Sequence, residues 1–321
     1  MGNNKKLLWQ LPLLTLLIVG TVLIIRQQQS MPYQHDEGFI FGTVYSVTYQ
    51  CDRNLKADIE KALKQVDGEF SMFNDSSTVS LINRGKTPPQ SDMYKEVWKL
   101  AQQVNKETDG AFDITVAPLV NAWGFGFKHE QMPTPKQVDS LLKIRNQYDF
   151  SAIAKGYGSD VVARLMRSHD VQNFMVEIGG EVVTQGVSAK RLPWKIGVTK
   201  PTDDSLSVSG ELQTVLNVTD IAMATSGNYR NFYYKGGRKY AHTIDPKTGY
   251  PVQHSLLSAT VLAKNCATAD AFATSFMVMG MERAKQVLER HPELMAYFIY
   301  ANPDGSNGVW FSPSLKSKIT P

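Results

Sequence analysis

Cysteine is almost absent from this chain, which has 321 residues and only two cysteines, Cys51 and Cys266. Two cysteines so far apart cannot build a zinc-ribbon site, and no closely spaced set of cysteine and histidine replaces one. The two thiols are compatible with one disulfide in an oxidising compartment or with two buried free thiols. The sequence does not choose between these states.

A strong charge of either sign is also missing. Lysine and arginine number 34 against 30 acidic residues, which gives a formal net charge of +4, and the basic residues are scattered along the chain. No run of basic residues is interleaved with aromatic ones. We therefore expect no nucleic-acid partner.

Several catalytic signatures are missing as well. The chain has no Gly-x-Ser-x-Gly elbow, no Walker A sequence and no His-Glu-x-x-His motif. Chemistry of the serine-hydrolase, P-loop and zinc-protease types thus has no support in the sequence. No internal repeat or low-complexity segment occurs, and 42% hydrophobic residues suffice for a sizeable core.

One long apolar run is present, from Leu7 to Ile25, and it follows Lys5 and Lys6. Its length is about that of a helix that crosses a bilayer. A cleaved signal peptide, a retained signal anchor and a buried core helix are the three interpretations. Because no small-x-small cleavage site follows obviously and no nearby cysteine can carry a lipid, we predict a retained anchor in residues 1–29. The lysines would lie inside and residues 30–321 outside the cytoplasm.

Helix and strand patterns occur in blocks along the remaining chain. Residues 27–36 read as a polar tether. Helical periodicity covers residues 55–70, 93–108, 135–144, 160–168, 268–277 and 283–290. Strand patterns cover residues 42–49, 174–178, 182–185, 194–198, 212–218, 221–226, 230–234, 240–244 and 257–263. Blocks rather than strict alternation predict the α+β class.

The stretch from Tyr148 to Asp160 is the most informative segment, because a lysine is followed by two glycines in the sequence Lys155-Gly156-Tyr157-Gly158. We interpret it as a turn that leads into a helix beginning at Asp160. Glycine allows close backbone approach, a helix N-terminus favours anions, and a lysine adds a point charge for phosphate. A solvated lysine in a plain connection is the alternative.

Three further segments carry aromatic residues or glycines where a ligand could bind. A polar loop at 71–77 contains Phe73, and Asp113 begins a segment that ends in Trp123, Phe125 and Phe127, separated by glycines. Such rings can stack on a heteroaromatic ligand, although aromatic residues are more often core. Gly179-Gly180 lies between two strands, where backbone can meet a ligand or form a tight hairpin.

Two segments carry candidate catalytic side chains. His242 ends a strand before the turn sequence Asp-Pro-Lys-Thr-Gly at 245–249, where Asp245 is expected to bond the backbone. It is either a general base or phosphate ligand, or a structural histidine. Asp270 and Thr274 are four residues apart in an apolar helix, so they share one face. Oxygen ligands of this kind suit Mg²⁺, and an N-cap role for Asp270 is the alternative. These features predict a site that uses phosphate and magnesium.

These segments, in this order, resemble the ApbE family of FAD:protein FMN transferases, from Phe41 to about Gly280. The resemblance implies a T-fold-like α+β architecture of mixed and antiparallel sheets with packed helices, so that residues 30–321 would form one flavin transferase domain. It implies a Mg²⁺-dependent transfer of the FMN moiety of FAD to a threonine hydroxyl of an exported acceptor protein, with release of AMP. An inner-membrane location with the catalytic domain in the periplasm follows, and the acceptor would belong to a sodium-pumping quinone reductase or a related electron-transfer complex.

The resemblance also implies roles for single residues. Mg²⁺ would be held by the Ala152 carbonyl and the side chains of Asp270 and Thr274, and His242 would act with Asp270 in catalysis, as base or by orienting the phosphate. FAD would contact these positions: Phe41, Phe73, Ala117, Pro118, Leu119, Asp149, Lys155, Gly179, Gly180, Glu181, Thr225, Ser226 and Ile244.

The chain departs from the family in lacking a lipobox cysteine and in having Phe73 where many members have Tyr or Trp. Two alternative functions remain at this stage. One is a Mg²⁺-dependent FAD pyrophosphatase, and the other is a non-catalytic periplasmic flavin-binding protein.

Overall fold

The computed structural model describes residues 4–126, 132–201, 211–228 and 232–320. Phe127, and residues 230 and 231 of the strand predicted at 230–234, lie outside these residues. The helices are α1 Asn4–Ser30, α2 Lys56–Phe70, α3 Thr78–Asn83, α4 Asp92–Glu107, α5 Ala117–Ala122, α6 Pro135–Leu141, α7 Ser151–Ser168, α8 Cys266–Met279 and α9 Met281–Arg290.

The strands are β1 Tyr33–Ile40, β2 Thr43–Gln50, β3 Phe174–Ile178, β4 Glu181–Gln185, β5 Trp194–Thr199, β6 Leu212–Val218, β7 Ala222–Gly227, β8 Phe232–Lys235, β9 Arg238–Ala241, β10 Leu256–Ala263, β11 Met295–Ala301 and β12 Asn307–Phe311. Eight of them form one sheet in the order β1-β2-β3-β4-β7-β10-β11-β12, and its neighbours run antiparallel. The pairs β5-β6 and β8-β9 form two small sheets. This arrangement confirms the predicted α+β class.

Helices cover one face of the large sheet. Side chains of α2 and α7 pack on β2 and β3 around Val47, Leu63 and Met166. α8 packs on β10 and β11 through residues such as Phe276, and it is buried on nearly all sides. A helix that is apolar all round is stable only when other elements surround it, which explains why its sequence has no polar face.

The opposite face of the sheet is covered at one end by β5 and β6. Ile196 and Leu216 from these strands pack against Val182, Met223 and Leu262 of the large sheet. The far end of this face, on β1 and β2, carries exposed residues including Phe39 and Val44, which are 72% and 57% exposed. The uneven cover leaves a groove beside β5, which is described below.

The helix and strand predictions were wrong at several places. The tether predicted at 27–36 was wrong, because residues 27–30 belong to α1 and residues 33–36 begin β1. β1 is an edge strand with one face towards solvent, so its sequence contains many polar residues. The predicted helix start at Asp160 is also wrong, since α7 begins at Ser151. The side chain of Asp149 accepts the Ser151 N–H at 2.7 Å and so satisfies one donor at this helix start. The short helices α3 and α5 and the strands β11 and β12 were not predicted.

The N-terminal run forms α1, which is followed by β1. By length and hydropathy, none of the helices in the described residues qualifies as a membrane span. The membrane anchor therefore stays a prediction. Cys51 and Cys266 are both buried free thiols, so the structure contains the second of the two states left open by the sequence.

Candidate functional site

A cleft of about 430 Å³ lies between α7, α8, the β3–β4 turn and the segment after β9. A second cavity of about 340 Å³ continues it towards the β1–β2 turn, and both are lined by Phe73, Asp149 and Lys155. Most of the site residues predicted from the sequence line the first cavity. They are Phe73, Asp149, Ala152, Lys155, Gly179, Glu181, Thr225, Ser226, His242, Ile244, Asp270 and Thr274.

The remaining predicted residues lie elsewhere. Phe41 lines the second cavity, and Gly180 lines a neighbouring groove. Ala117, Pro118 and Leu119 are buried at the start of α5 and do not line either cavity, whereas their neighbours Val116 and Val120 line the first. The FAD contact predicted at residues 117–119 stays a prediction.

The glycines after Lys155 allow two elements to approach α7. A Cβ atom at Gly156 would lie 2.5 Å from the Cys266 carbonyl oxygen and 2.8 Å from the Asp270 Cβ. Since real Cβ atoms do not approach backbone so closely, only glycine permits this contact between α7 and α8. A Cβ at Gly158 would similarly lie 2.8 Å from the ring of Phe41. The segment that we predicted as a turn thus lies inside α7, and the predicted helix N-terminus directly after it was wrong, because α7 begins at Ser151.

Reciprocal carboxylate bonds fix α7 against α8. Asp270 Oδ2 accepts the Gly156 N–H at 3.0 Å, and Asp160 accepts the N–H groups of Cys266 and Ala267 at 2.8 and 2.9 Å. Asp160 therefore satisfies the first donors of α8 from outside that helix. Sequence reasoning missed this role, although an aspartate two residues after Gly158, directly before the apolar Val161 and Val162, was the available signal.

The capping of α8 shows whether Asp270 is the N-cap of this helix. Asn265 caps the helix, because its side chain accepts the Thr268 N–H at 2.9 Å. Asp270 lies in the second turn and is only 4% exposed. It is therefore not the N-cap, and the cap alternative is wrong. Burial raises the pKa of Asp270, while Lys155 and the Gly156 N–H act in the opposite direction.

A buried ion pair lies next to Asp270. The Lys155 ammonium group bonds Glu181 Oε1, and the side chains are 30% and 3% exposed. Burial disfavours the charged lysine, but Glu181 and Asp270 together outweigh it and raise the pKa of Lys155. Burial raises the pKa of Glu181 to about 7 against the effect of Lys155. Two buried carboxylates thus share one cation.

The donor set fits a magnesium ion. Ala152, Asp270 and Thr274 line the same cleft, and Glu181 Oε2 is buried with no hydrogen-bond partner among the described residues. The Thr274 hydroxyl makes only a 3.4 Å bond, to Ser226 Oγ. In the described ranges, no cluster of three His, Cys, Asp or Glu side chains would hold a metal by itself. Mg²⁺ prefers few carboxylates completed by water and substrate phosphate, so this sparse, electronegative set suits it.

His242 reaches the cleft directly after β9. Its ring lies 6.4 Å from that of Phe125, which also lines the cleft. The loop that follows is fixed, because Asp245 Oδ1 accepts the Lys247 N–H at 2.8 Å and Trp123 Nε1 donates to the Gly249 carbonyl at 2.7 Å. The backbone role that we predicted for Asp245 is thereby confirmed. Trp123 itself is buried core.

Phe73 is the most exposed aromatic residue in the cleft, with 75% of its area accessible. The loop that carries it is held together, since the Ser77 hydroxyl donates to the Ser71 carbonyl at 2.6 Å and Ser77 caps α3. A large exposed ring on an ordered loop is a surface on which a flat heteroaromatic ligand can stack.

Comparison with known proteins gives consistent matches over this whole site. The sequence profile of the ApbE family matches residues 41–298. The chain is 36% identical to an FAD:protein FMN transferase of Haemophilus influenzae, over 88% of this chain and 90% of the relative. It is 35% identical to an FAD:protein FMN transferase of Vibrio cholerae, over 84% and 88% of the two chains.

Solved structures of this family also match the fold of this chain over most of its length. The flavin transferase ApbE from Vibrio cholerae superposes with a TM-score of 0.79 at 32% identity and covers 90% of this chain and 99% of that chain. The apo form of the Pseudomonas stutzeri flavinyl transferase ApbE superposes with a TM-score of 0.78 at 28% identity, over 90% and 97%. This chain belongs to the ApbE family.

Proposed function

We propose that this protein is a transferase that moves the FMN moiety of FAD to a threonine hydroxyl of an exported acceptor protein, with release of AMP and with Mg²⁺ bound in the cleft. Support for the class of reaction comes from the relatives, which are named FAD:protein FMN transferases. The observation in this chain that carries the proposal is the buried Asp270, which lies in one cleft with Lys155, His242 and the exposed ring of Phe73.

The reaction exchanges one phosphorus–oxygen bond for another. The threonine oxygen forms a bond to the phosphorus of the FMN half, and the bond from that phosphorus to the bridging oxygen breaks. AMP leaves with that oxygen and its electron pair, and the hydroxyl proton must be removed. We assign the removal of this proton to His242, and support comes from its position at the border of the cleft that also contains the phosphate-binding candidates.

An ammonium group and two hydroxyl groups of this chain would bind the negatively charged pyrophosphate. The Lys155 ammonium is held in place by Glu181 and offers its remaining donors to the cleft. Thr225 and Ser226 place hydroxyl groups at the end of β7 in the same cleft. Mg²⁺, held by the Ala152 carbonyl, Asp270 and Thr274, would supply neutralisation of the charge that develops on the phosphates.

We also propose that residues 1–29 anchor the enzyme in the inner membrane and that residues 30–321 act in the periplasm. Support comes from Lys5 and Lys6 ahead of the apolar run from Leu7 to Ile25. An exported redox subunit, such as one of a sodium-pumping quinone reductase, is the kind of acceptor that meets the catalytic domain there.

The test measures two products at once. The full-length protein is incubated with FAD, Mg²⁺ and the acceptor of the Vibrio cholerae relative, and flavin fluorescence on a denaturing gel is recorded together with released AMP. We expect a fluorescent acceptor band, which Asp270→Ala abolishes while Asp139→Ala, on the exposed side of α6, does not. AMP and free FMN without a labelled acceptor would show a pyrophosphatase instead. Bound FAD with neither product would show a flavin-binding protein.

A further inference from the structure

A second groove lies on the outer face of the large sheet, beside β5. It is an open groove with a cavity volume of about 170 Å³, and it combines apolar residues with one acidic and one basic side chain. Its walls come from β3, β4, β5 and β7, and they are Met175, Glu177, Gly180, Val182, Lys195, Ile196, Gly197, Thr199, Met223 and Thr225. Apart from Gly180 and Thr225, which border the flavin cleft, no residue of this lining has a role in the reaction described above.

The outer edge of β5, formed by Lys195, Ile196 and Gly197, lines one wall. Within the described ranges β5 pairs only with β6, whose other edge is bonded to the C-terminal segment through Thr320 N–H and the Val215 carbonyl at 2.9 Å. The groove is lined by four residues of β5 and by none of β6, so the edge of β5 away from β6 faces it. An exposed strand edge offers backbone donors and acceptors to an added strand.

The groove meets the flavin cleft at the β3–β4 turn. Thr225 lines both, while Gly180 lines the groove and its neighbours Gly179 and Glu181 line the cleft. Gly179 and Gly180 have φ angles of 64° and 107°, in the region that favours glycine. Because neither residue has a side chain, the turn itself presents only backbone to a chain that passes from the groove towards the cleft.

The lining carries charges that no other part of the described protein neutralises. Glu177 and Lys195 line the groove from opposite walls, and neither has an ion-pair partner among the described residues. Beyond the turn lie the exposed apolar side chains of Val44 and Phe39, which pair across β1 and β2. The Val44 carbonyl accepts the Gly179 N–H at 3.0 Å, so these residues adjoin the turn. Such a mixed surface suits a polypeptide segment more than a small anion or a lipid.

We propose that this groove is the acceptor-binding site: an extended segment of the acceptor protein adds as a strand to β5 and passes the Gly179-Gly180 turn, which brings its hydroxyl residue into the flavin cleft. The assignment rests on the proposed transferase function, because only a polypeptide substrate needs such a track. Glu177 and Lys195 then select the segment by charge, and the half-buried Met175 adapts to its apolar side chains.

Photo-crosslinking tests contact without requiring transfer. Full-length protein carrying p-benzoylphenylalanine in place of Lys195 is illuminated with the acceptor of the Vibrio cholerae relative, and the linked peptides are mapped by mass spectrometry. We expect links to the acceptor segment that holds or adjoins its flavin-bearing residue. The same reagent at Lys99, exposed on α4, serves as the control. Links that are absent at position 195, or equal at both positions, would overturn the assignment.

Steady-state kinetics supply the second readout. Lys195→Glu and Glu177→Lys should each raise the KM for the acceptor about tenfold, with the KM for FAD unchanged. Lys99→Glu should leave both constants unchanged. Wild-type protein that labels no acceptor would refute the transferase function itself, whereas labelling with unaltered acceptor KM in both groove variants would refute only the groove.

Discussion

The contact between α7 and α8 gives a sharp prediction for Gly156→Ala. Alanine in a helix interior is worth about 1 kcal/mol over glycine. Against this, the new Cβ would lie 2.5 Å from the Cys266 carbonyl oxygen, 2.7 Å from its carbon and 2.8 Å from the Asp270 Cβ. These are backbone atoms and a side-chain stem, so the overlap is relieved only when the helices separate. Overpacking costs about 1–3 kcal/mol, and losing the bond from the Gly156 N–H to a carboxylate costs about 1.5–3 kcal/mol.

Steric overlap therefore outweighs helix propensity, and we expect Gly156→Ala to lower the free energy of unfolding by about 2–4 kcal/mol. Because Asp270 moves with α8, FMN transfer should also fall. Gly68→Ala in α2 is the matched control, since no atom lies within 4 Å of its added Cβ. It should raise stability by about 0.5–1 kcal/mol. Urea titration followed by tryptophan fluorescence compares the two, and equal stabilisation by both alanines would refute this account of the helix contact.

Three further changes have defined outcomes. Phe73→Ala should weaken FAD binding about tenfold in a fluorescence titration while the urea midpoint stays unchanged, since the ring is 75% exposed. Lys155→Met leaves Glu181 and Asp270 without their shared cation and should cost about 3–5 kcal/mol in urea unfolding; wild-type stability would contradict the ion pair. Asp160→Asn tests a pH dependence. Burial raises the pKa of Asp160 from 3.8 to about 6, so its stabilising contribution is complete below pH 3.8 and is lost as pH rises through 6. Wild-type stability relative to Asp160→Asn should therefore fall by about 2–3 kcal/mol between pH 4 and pH 7, and a constant difference would contradict this.

Motif order in the sequence predicted the family and most residues of the cleft. Aspartate and threonine four residues apart in an apolar helix led directly to Asp270 and Thr274, because burying a lone carboxylate is costly without a partner. Lys155 and Glu181 were both named, but their ion pair was not. Their separation of 26 residues along the chain is closed only by the packing of α7 against the sheet, which periodicity does not report.

The misread helix start at α7 has a related physical cause. Glycine is disfavoured within helices, so Gly156 and Gly158 suggested a turn. The reason for these glycines is visible only in the folded structure, where Gly156 leaves room for α8 and Gly158 leaves room for the ring of Phe41. The edge strand β1 was missed for another reason, because the exposed face of an edge strand carries the polar residues of a tether.

Covalent labelling of the acceptor tests the central claim most directly. Full-length protein is stripped of metal with a chelator, mixed with FAD and the acceptor of the Vibrio cholerae relative, and assayed by intact mass and peptide mapping before and after Mg²⁺ is restored. The account predicts one FMN per acceptor on a threonine, formed only with Mg²⁺ and absent in Asp270→Ala. An acceptor that stays unmodified while FAD is cleaved, or labelling that proceeds equally without metal and without Asp270, would contradict it.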